Sequence, residues 1–163
     1  MKEDKHLSLF GIGPFYVGLI FIITLVSILL NNKGLIPSYS IEKLEIIIKI
    51  FSVFLFILGV VLWVNAVFIV NIDKNIKKNE LVTNGSYAYV RNPIYSAITF
   101  FMYSFLLWSN NLFLIILFPI YYVILFIMLK YTEEKWLYQK YGKKYLVYCE
   151  NVNRFIPWFP KKK

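Results

Sequence analysis

A single cysteine, Cys149, and a single histidine, His6, stand in a chain of 163 residues. One of each excludes a disulfide framework and any Cys/His cluster able to hold a metal ion. Ser-His-Asp catalysis is excluded as well, because the one imidazole lies in the charged N-terminal tail. Acidic side chains are also scarce, nine against eighteen Lys and Arg, for a formal net charge of +9. Nucleic-acid binding would want those cations along one amphipathic helix or among the rings of a sheet. Here they are scattered between apolar runs, so no nucleic-acid partner is expected. No internal repeat and no low-complexity segment is present.

What the chain does hold is apolar: 59% hydrophobic and 20% aromatic residues, with a mean hydropathy of +0.61. A soluble domain averages roughly 45–50% apolar. The composition marks an integral membrane protein, and the length marks one domain over residues 1–163. Residues 1–6 are charged. The apolar run after them is longer than the hydrophobic part of a signal peptide and lacks a small-residue cleavage site, so it is expected to remain as a helix.

About four transmembrane helices are expected, making an all-α polytopic protein with two spans in residues 1–70. The first covers residues 7–30 and the second residues 46–70, with Asn65 an amide inside hydrocarbon. Such an amide either hydrogen-bonds a neighbouring helix or lines a polar pocket. Between them, Ser40 is a possible helix N-cap. The third span, residues 94–108, is short, and the fourth, residues 112–129, carries Pro119 as an expected kink. Ser109-Asn110-Asn111 reverses the chain between them, giving a tight hairpin. Beyond residue 130 the spacing of Trp136, Leu137, Tyr141, Tyr145 and Tyr148 suits an amphipathic helix broken at Gly142 and lying at the membrane surface. Of the 18 basic residues, all but Lys33, Lys43 and Lys49 fall on the side of the two termini. The positive-inside rule makes that side cytoplasmic.

The polar island in this chain is residues 81–96, LVTNGSYAYVRNPIYS. Gly85 suits a backbone turn or a ligand lying close against the chain. Pro93 suits the first position of a helix, whose free N–H groups favour an anion beside Arg91. Tyr87, Tyr89 and Tyr95 suit either stacking on a ring or an interfacial belt. The hairpin is expected to carry Arg91 and Tyr95 to Lys130, Glu133 and Glu134. Glu134 has Lys130 as an i, i+4 ion-pair partner. Adjacent residues point about 100° apart on a helix, so the other carboxylate of the pair faces the bundle.

The stretch LVTNGSYAYVRNPIY, followed after the hairpin by EEKWLYQKYGKKYLVYCENVNRFIP, resembles the isoprenylcysteine carboxyl methyltransferase family and the related phospholipid methyltransferases. The shared pattern is L-V-x-x-G-x-Y-x-x-x-R-H-P-x-Y, then E-E, then G-x-x-Y and a closing R-F-I-P. It covers roughly the second half of the chain. The resemblance implies a membrane methyltransferase using S-adenosylmethionine, with residues 71–163 as the cofactor-binding core and a lipid-like or isoprenoid substrate entering from the bilayer. It implies a cofactor site at Asn79, Glu80, Leu81, Val82, Gly85, Tyr87, Asn92, Pro93, Ile94, Tyr95 and Glu133. The catalytic residues would be Arg91, Glu133 and Glu134. An Arg that some relatives place one turn before the Glu pair is missing, and Lys130 is the nearest basic candidate for the substrate. Asn92 stands where the family has His and cannot titrate.

Methyl transfer from a sulfonium to a carboxylate destroys charge, so alignment and exclusion of water contribute most of the acceleration. An amine acceptor must first lose a proton, and Glu133 or Glu134 is the local base. The missing His points to carboxyl O-methylation, with N-methylation of a phospholipid as the alternative. A steroid-reductase-like NADPH enzyme and an inactive scaffold are the other readings, and no metal is expected. Richness in Lys, Asn and Ile fits an AT-rich bacterial genome, and so a bacterial inner membrane.

Overall fold

The computed structural model describes residues 12–70 and 80–161. Among them run six α-helices: α1 (Gly13–Asn32), α2 (Glu45–Val64), α3 (Pro93–Trp108), α4 (Leu117–Tyr131), α5 (Glu133–Tyr141) and α6 (Lys143–Asn151). Short 3-10 turns at Glu42–Leu44, Gly85–Ala88 and Leu112–Ile116, and a π turn at Asn65–Ile69, extend or join them. An isolated parallel bridge between Val90 and Asn153 is the extended pairing. The chain is all-helical, as its composition predicts.

Three stretches are long and apolar enough to cross a membrane: Gly13–Asn32, Glu42–Ile69 and Leu112–Tyr141. The expected third span is α3, also apolar but only 16 residues long. At a rise of 1.5 Å per residue it reaches about 24 Å, short of a hydrocarbon core of about 30 Å. Residues 7–11, the expected beginning of the first span, lie outside the described residues.

The closest backbone pairing is between α2 and α3, where small residues meet. A Cβ on Gly59 would stand 2.7 Å from the Phe101 ring and 3.0 Å from the Ala97 carbonyl oxygen. Ser52 Oγ donates to the Ser104 carbonyl at 2.8 Å. Small residues and hydroxyls are the usual adhesive where the solvent is as apolar as the side chains. The expected tight hairpin of α3 and α4 is looser than this. Those helices meet through rings, with Tyr103 stacked on Phe118 at 3.9 Å between centroids, because bulky side chains hold the backbones apart. On its other side α3 meets α1, where Tyr16 and Thr99 hydroxyls bond at 2.8 Å. Thr24 and Tyr121 tie α1 to α4 at 2.8 Å. Around this core, Ile46, Ile47, Ile50, Phe54 and Ile57 of α2 are exposed, a face that suits hydrocarbon and would be an aggregation patch in water.

At the end of the bundle away from the polar island, Asn111 knots three segments. Its Oδ1 accepts from Tyr39 N at 3.1 Å and Phe113 N at 3.0 Å. Its Nδ2 donates to Asn31 Oδ1 at 2.7 Å and to the Pro37 carbonyl at 2.9 Å. One local expectation changes: Ser40 does not cap a helix, and Ile41 precedes the 3-10 turn, with no side-chain cap bond. Pro119 lies in the first turn of α4, just after the winding changes from the 3-10 turn Leu112–Ile116.

Candidate functional site

At the other end, the start of α1, the polar island, the first turn of α5 and the C-terminal residues converge. The island is built on positive φ at Gly85, +58°, the region glycine adopts without strain. A Cβ there would collide with Val70 and stand 2.7 Å from Asn65 Oδ1. The close approach Gly85 permits is therefore to the end of α2. Asn65 Oδ1 accepts from Ser86 N at 2.6 Å, so the amide expected inside the second span fastens α2 to the turn. Leu81, Val82, Tyr87 and Ile94 pack into small clusters with Ala66 and Val70 on one side and Tyr145, Tyr148 and Val152 on the other. Tyr148 Oη donates to the Tyr87 carbonyl at 2.6 Å. The tail beyond Gly142 thus folds onto the turn, with Tyr145 and Tyr148 buried. Glu80 is exposed, and Asn79 lies outside the described residues.

Helix α3 begins at Pro93, with Asn92 as its N-cap residue. The Asn92 side chain does not cap the helix; its Nδ2 donates to the Arg154 carbonyl at 3.1 Å. Glu133 and Glu134 do not end α4. The backbone breaks at Thr132 and the two carboxylates open α5, facing different partners. Glu134 takes Arg154 in a two-pronged pair, Nε to Oε1 at 2.6 Å and Nη2 to Oε2 at 2.7 Å. Arg91 Nη1 reaches Glu134 Oε1 at 3.3 Å and donates to Cys149 Sγ. The expected Lys130–Glu134 pair gives way to these arginines. Lys130 is exposed, its amine 5.6 Å from the Phe126 ring centre and 5.8 Å from that of Tyr131.

Glu133 stands apart. Its Oε1 accepts the Tyr95 hydroxyl and the Ile12 N–H at 3.3 Å. Ile12 is the N-cap residue of α1, so the carboxylate sits at the positive end of that helix. No basic side chain among the described residues lies within ion-pair distance of it. In the polar island, two buried polar atoms lack partners, Arg91 Nε and Ser86 Oγ. The Arg91 side chain is only 9% exposed. Burial pushes the Cys149 thiol above its usual range, against the pull of the Arg91 guanidinium, so it remains a neutral thiol that packs and accepts.

Arg154, inside the R-F-I-P segment, is a residue of this end without an expected role. A charged residue between Asn153 and Phe155 in an apolar chain was the available signal, but only the fold shows that it meets Glu134.

A family model for phospholipid methyltransferases matches residues 47–144. The match takes in α2 from residue 47 onward, the polar island, α3, α4, α5 and the first two residues of α6, and leaves α1 and the tail from residue 145 outside. No curated protein and no solved structure matches the chain. With more than half of its length matched, including Arg91, Glu133 and Glu134, the chain belongs to the phospholipid methyltransferase family, membrane methyltransferases acting on lipid.

Proposed function

We propose that the protein transfers a methyl group from S-adenosylmethionine to the headgroup amine of a membrane phospholipid, at the end of the bundle where the polar island meets α5. The observation that carries this reading is Glu133, a partly buried carboxylate with no cationic partner among the described residues. A carboxylate at a membrane boundary is costly unless it is paired or wet.

The donor set suits the cofactor. Glu133 supplies the negative charge that a sulfonium or an ammonium wants. Arg91 Nε and Ser86 Oγ are buried donors without partners, suited to a carboxylate or to sugar hydroxyls. When bound, the cofactor supplies an electrophilic methyl carbon on positively charged sulfur. Pro93, buried at the start of α3, fixes the helix whose first N–H groups face that end. Tyr95 holds Glu133 in place through its hydroxyl.

The acceptor we propose is an amine rather than the carboxylate expected from the sequence, because among the described residues no cation is left for a substrate carboxylate once Arg91 serves the cofactor. Arg91 and Arg154 are both engaged by Glu134, and Lys130 lies out over rings. An ammonium headgroup must lose one proton before its nitrogen lone pair can attack. Glu133 would accept that proton. The N–C bond then forms as the S–C bond breaks, leaving a methylated ammonium and a neutral thioether.

The test is transfer of labelled methyl from S-adenosylmethionine to vesicles of phosphatidylethanolamine, with vesicles carrying a fatty acid as the carboxylate arm. Label in the amine lipid, lost in Glu133→Gln, is the expected result. Label in the fatty acid alone moves the acceptor to a carboxylate, and label in neither removes the assignment.

A further inference from the structure

The residues outside the family match make a strap. After α6 the chain runs back across the start of α3, and three successive carbonyls grip it. Asn153 O accepts Arg91 N at 2.8 Å, Arg154 O accepts Asn92 Nδ2 at 3.1 Å, and Phe155 O accepts Ser96 Oγ at 2.7 Å. Farther on, Trp158 N donates to the Tyr89 carbonyl at 3.0 Å. Phe155 is buried with residues of α1, α3 and α4, edge-on to Tyr122 at 5.3 Å between ring centres.

Arg154 fastens this strap from the opposite side. Its guanidinium makes the two-pronged pair with Glu134 and lies 4.5 Å from the centre of the Phe126 ring. One residue therefore ties the start of α3, through its backbone, to the first turn of α5, through its side chain. Those are the two elements that bring Tyr95 and Glu133 together. A planar, bidentate donor fixes direction as well as distance, which a lysine ammonium does not.

We infer that Arg154 is a positioning residue for methyl transfer, holding Glu134 and the start of α3 so that Glu133 keeps its place, while touching neither substrate nor cofactor. Glu134 is accordingly the counter-ion of the strap, and the two adjacent carboxylates have separate tasks. The inference rests on the methyltransferase reading. Misplacement of reacting groups costs turnover more than it costs binding, so the loss falls on kcat.

The experiment compares wild type, Arg154→Gln, Arg154→Lys and the control Lys161→Gln, using labelled S-adenosylmethionine and phosphatidylethanolamine vesicles, with hydrogen exchange of residues 152–161 in parallel. Arg154→Gln is expected to lower kcat by about tenfold or more while the KM for S-adenosylmethionine stays within about threefold. Exchange in the strap is expected to quicken by about tenfold or more as it opens locally. Arg154→Lys is expected to fall between, and Lys161→Gln to match wild type. Unchanged exchange in Arg154→Gln overturns the fastening, and faster exchange with unchanged kcat overturns the positioning role. A rise in KM equal to the fall in kcat/KM makes Arg154 a binding residue instead. If the wild type transfers no methyl group, the underlying reading falls and takes the inference with it.

Discussion

Two neighbouring carboxylates in this protein live in different surroundings. Glu134 serves two arginines whose side chains are 9% and 22% exposed, whereas Glu133 serves a tyrosine hydroxyl and a helix N-terminus. Removing one member of a buried charge cluster leaves the others uncompensated, at a cost of about 3 kcal/mol. Glu134→Gln is therefore expected to lower the thermal midpoint in detergent by roughly 5–10 °C. Glu133→Gln removes no ion pair and is expected to shift the midpoint by much less. Thermal scans of the two variants side by side check this, and equal losses would contradict the division. That the pair must diverge is legible in the sequence, since adjacent residues on a helix point about 100° apart. Arg91 and Tyr95 do reach the pair as expected, but Arg154 was not legible, because Lys130 is four residues away from Glu134 in the chain and Arg154 twenty. Local spacing favours the near cation, and only the return of the tail brings in the far one. The Asn92 side chain tells the same story, since its acceptor is a carbonyl on that tail.

At the scale of elements, most helices were legible because their causes are local. Apolar runs, Pro93 at a first helical position and Gly142 between two amphipathic segments put α1 to α6 close to where they were expected. The misplacements have local causes too. The π turn at Asn65–Ile69 carries the end of α2 onto the island, and hydropathy is blind to that change of winding. The break at Thr132 separates α4 from α5, although no Gly or Pro marks it. The loops at the far end depend on Asn111, whose four bonds join α1, the α1–α2 connection and the Leu112–Ile116 turn. Asn111→Ala leaves those groups unpaired in a buried place. It is expected to cost about 2 kcal/mol, read as a lower thermal midpoint, with S-adenosylhomocysteine affinity retained because the site lies at the opposite end. A loss of affinity without a loss of stability would contradict that separation.

For the molecule as a whole, the all-helical class and the polar island as the meeting point were readable from composition and pattern. The shortness of α3 was readable too, whereas its packing against both α1 and α2 was not. The start of α1, the island and the strap gather at one end, and most of the cations belong to the same side in sequence. We propose that this end faces the cytoplasm, as the positive-inside rule requires. Cysteines introduced one at a time at Asn84, Lys161 and Lys33, in a Cys149→Ser background, test it in intact bacterial cells. The first two are expected to resist a membrane-impermeant maleimide and the third to react. The reverse pattern would invert the topology.

Under the proposed function, Glu133 is the charge around which the cofactor is held. Calorimetric titration of S-adenosylhomocysteine into the purified protein, wild type against Glu133→Gln, tests the site, and titration of S-adenosylmethionine tests the charge. Both ligands are expected to bind the wild type. Glu133→Gln is expected to weaken S-adenosylmethionine by about tenfold or more, since a charge-assisted contact contributes roughly 1.5–3 kcal/mol, and to weaken the uncharged-sulfur ligand less. Equal affinity of the wild type and Glu133→Gln for S-adenosylmethionine, or no binding of either ligand to the wild type, would contradict that role.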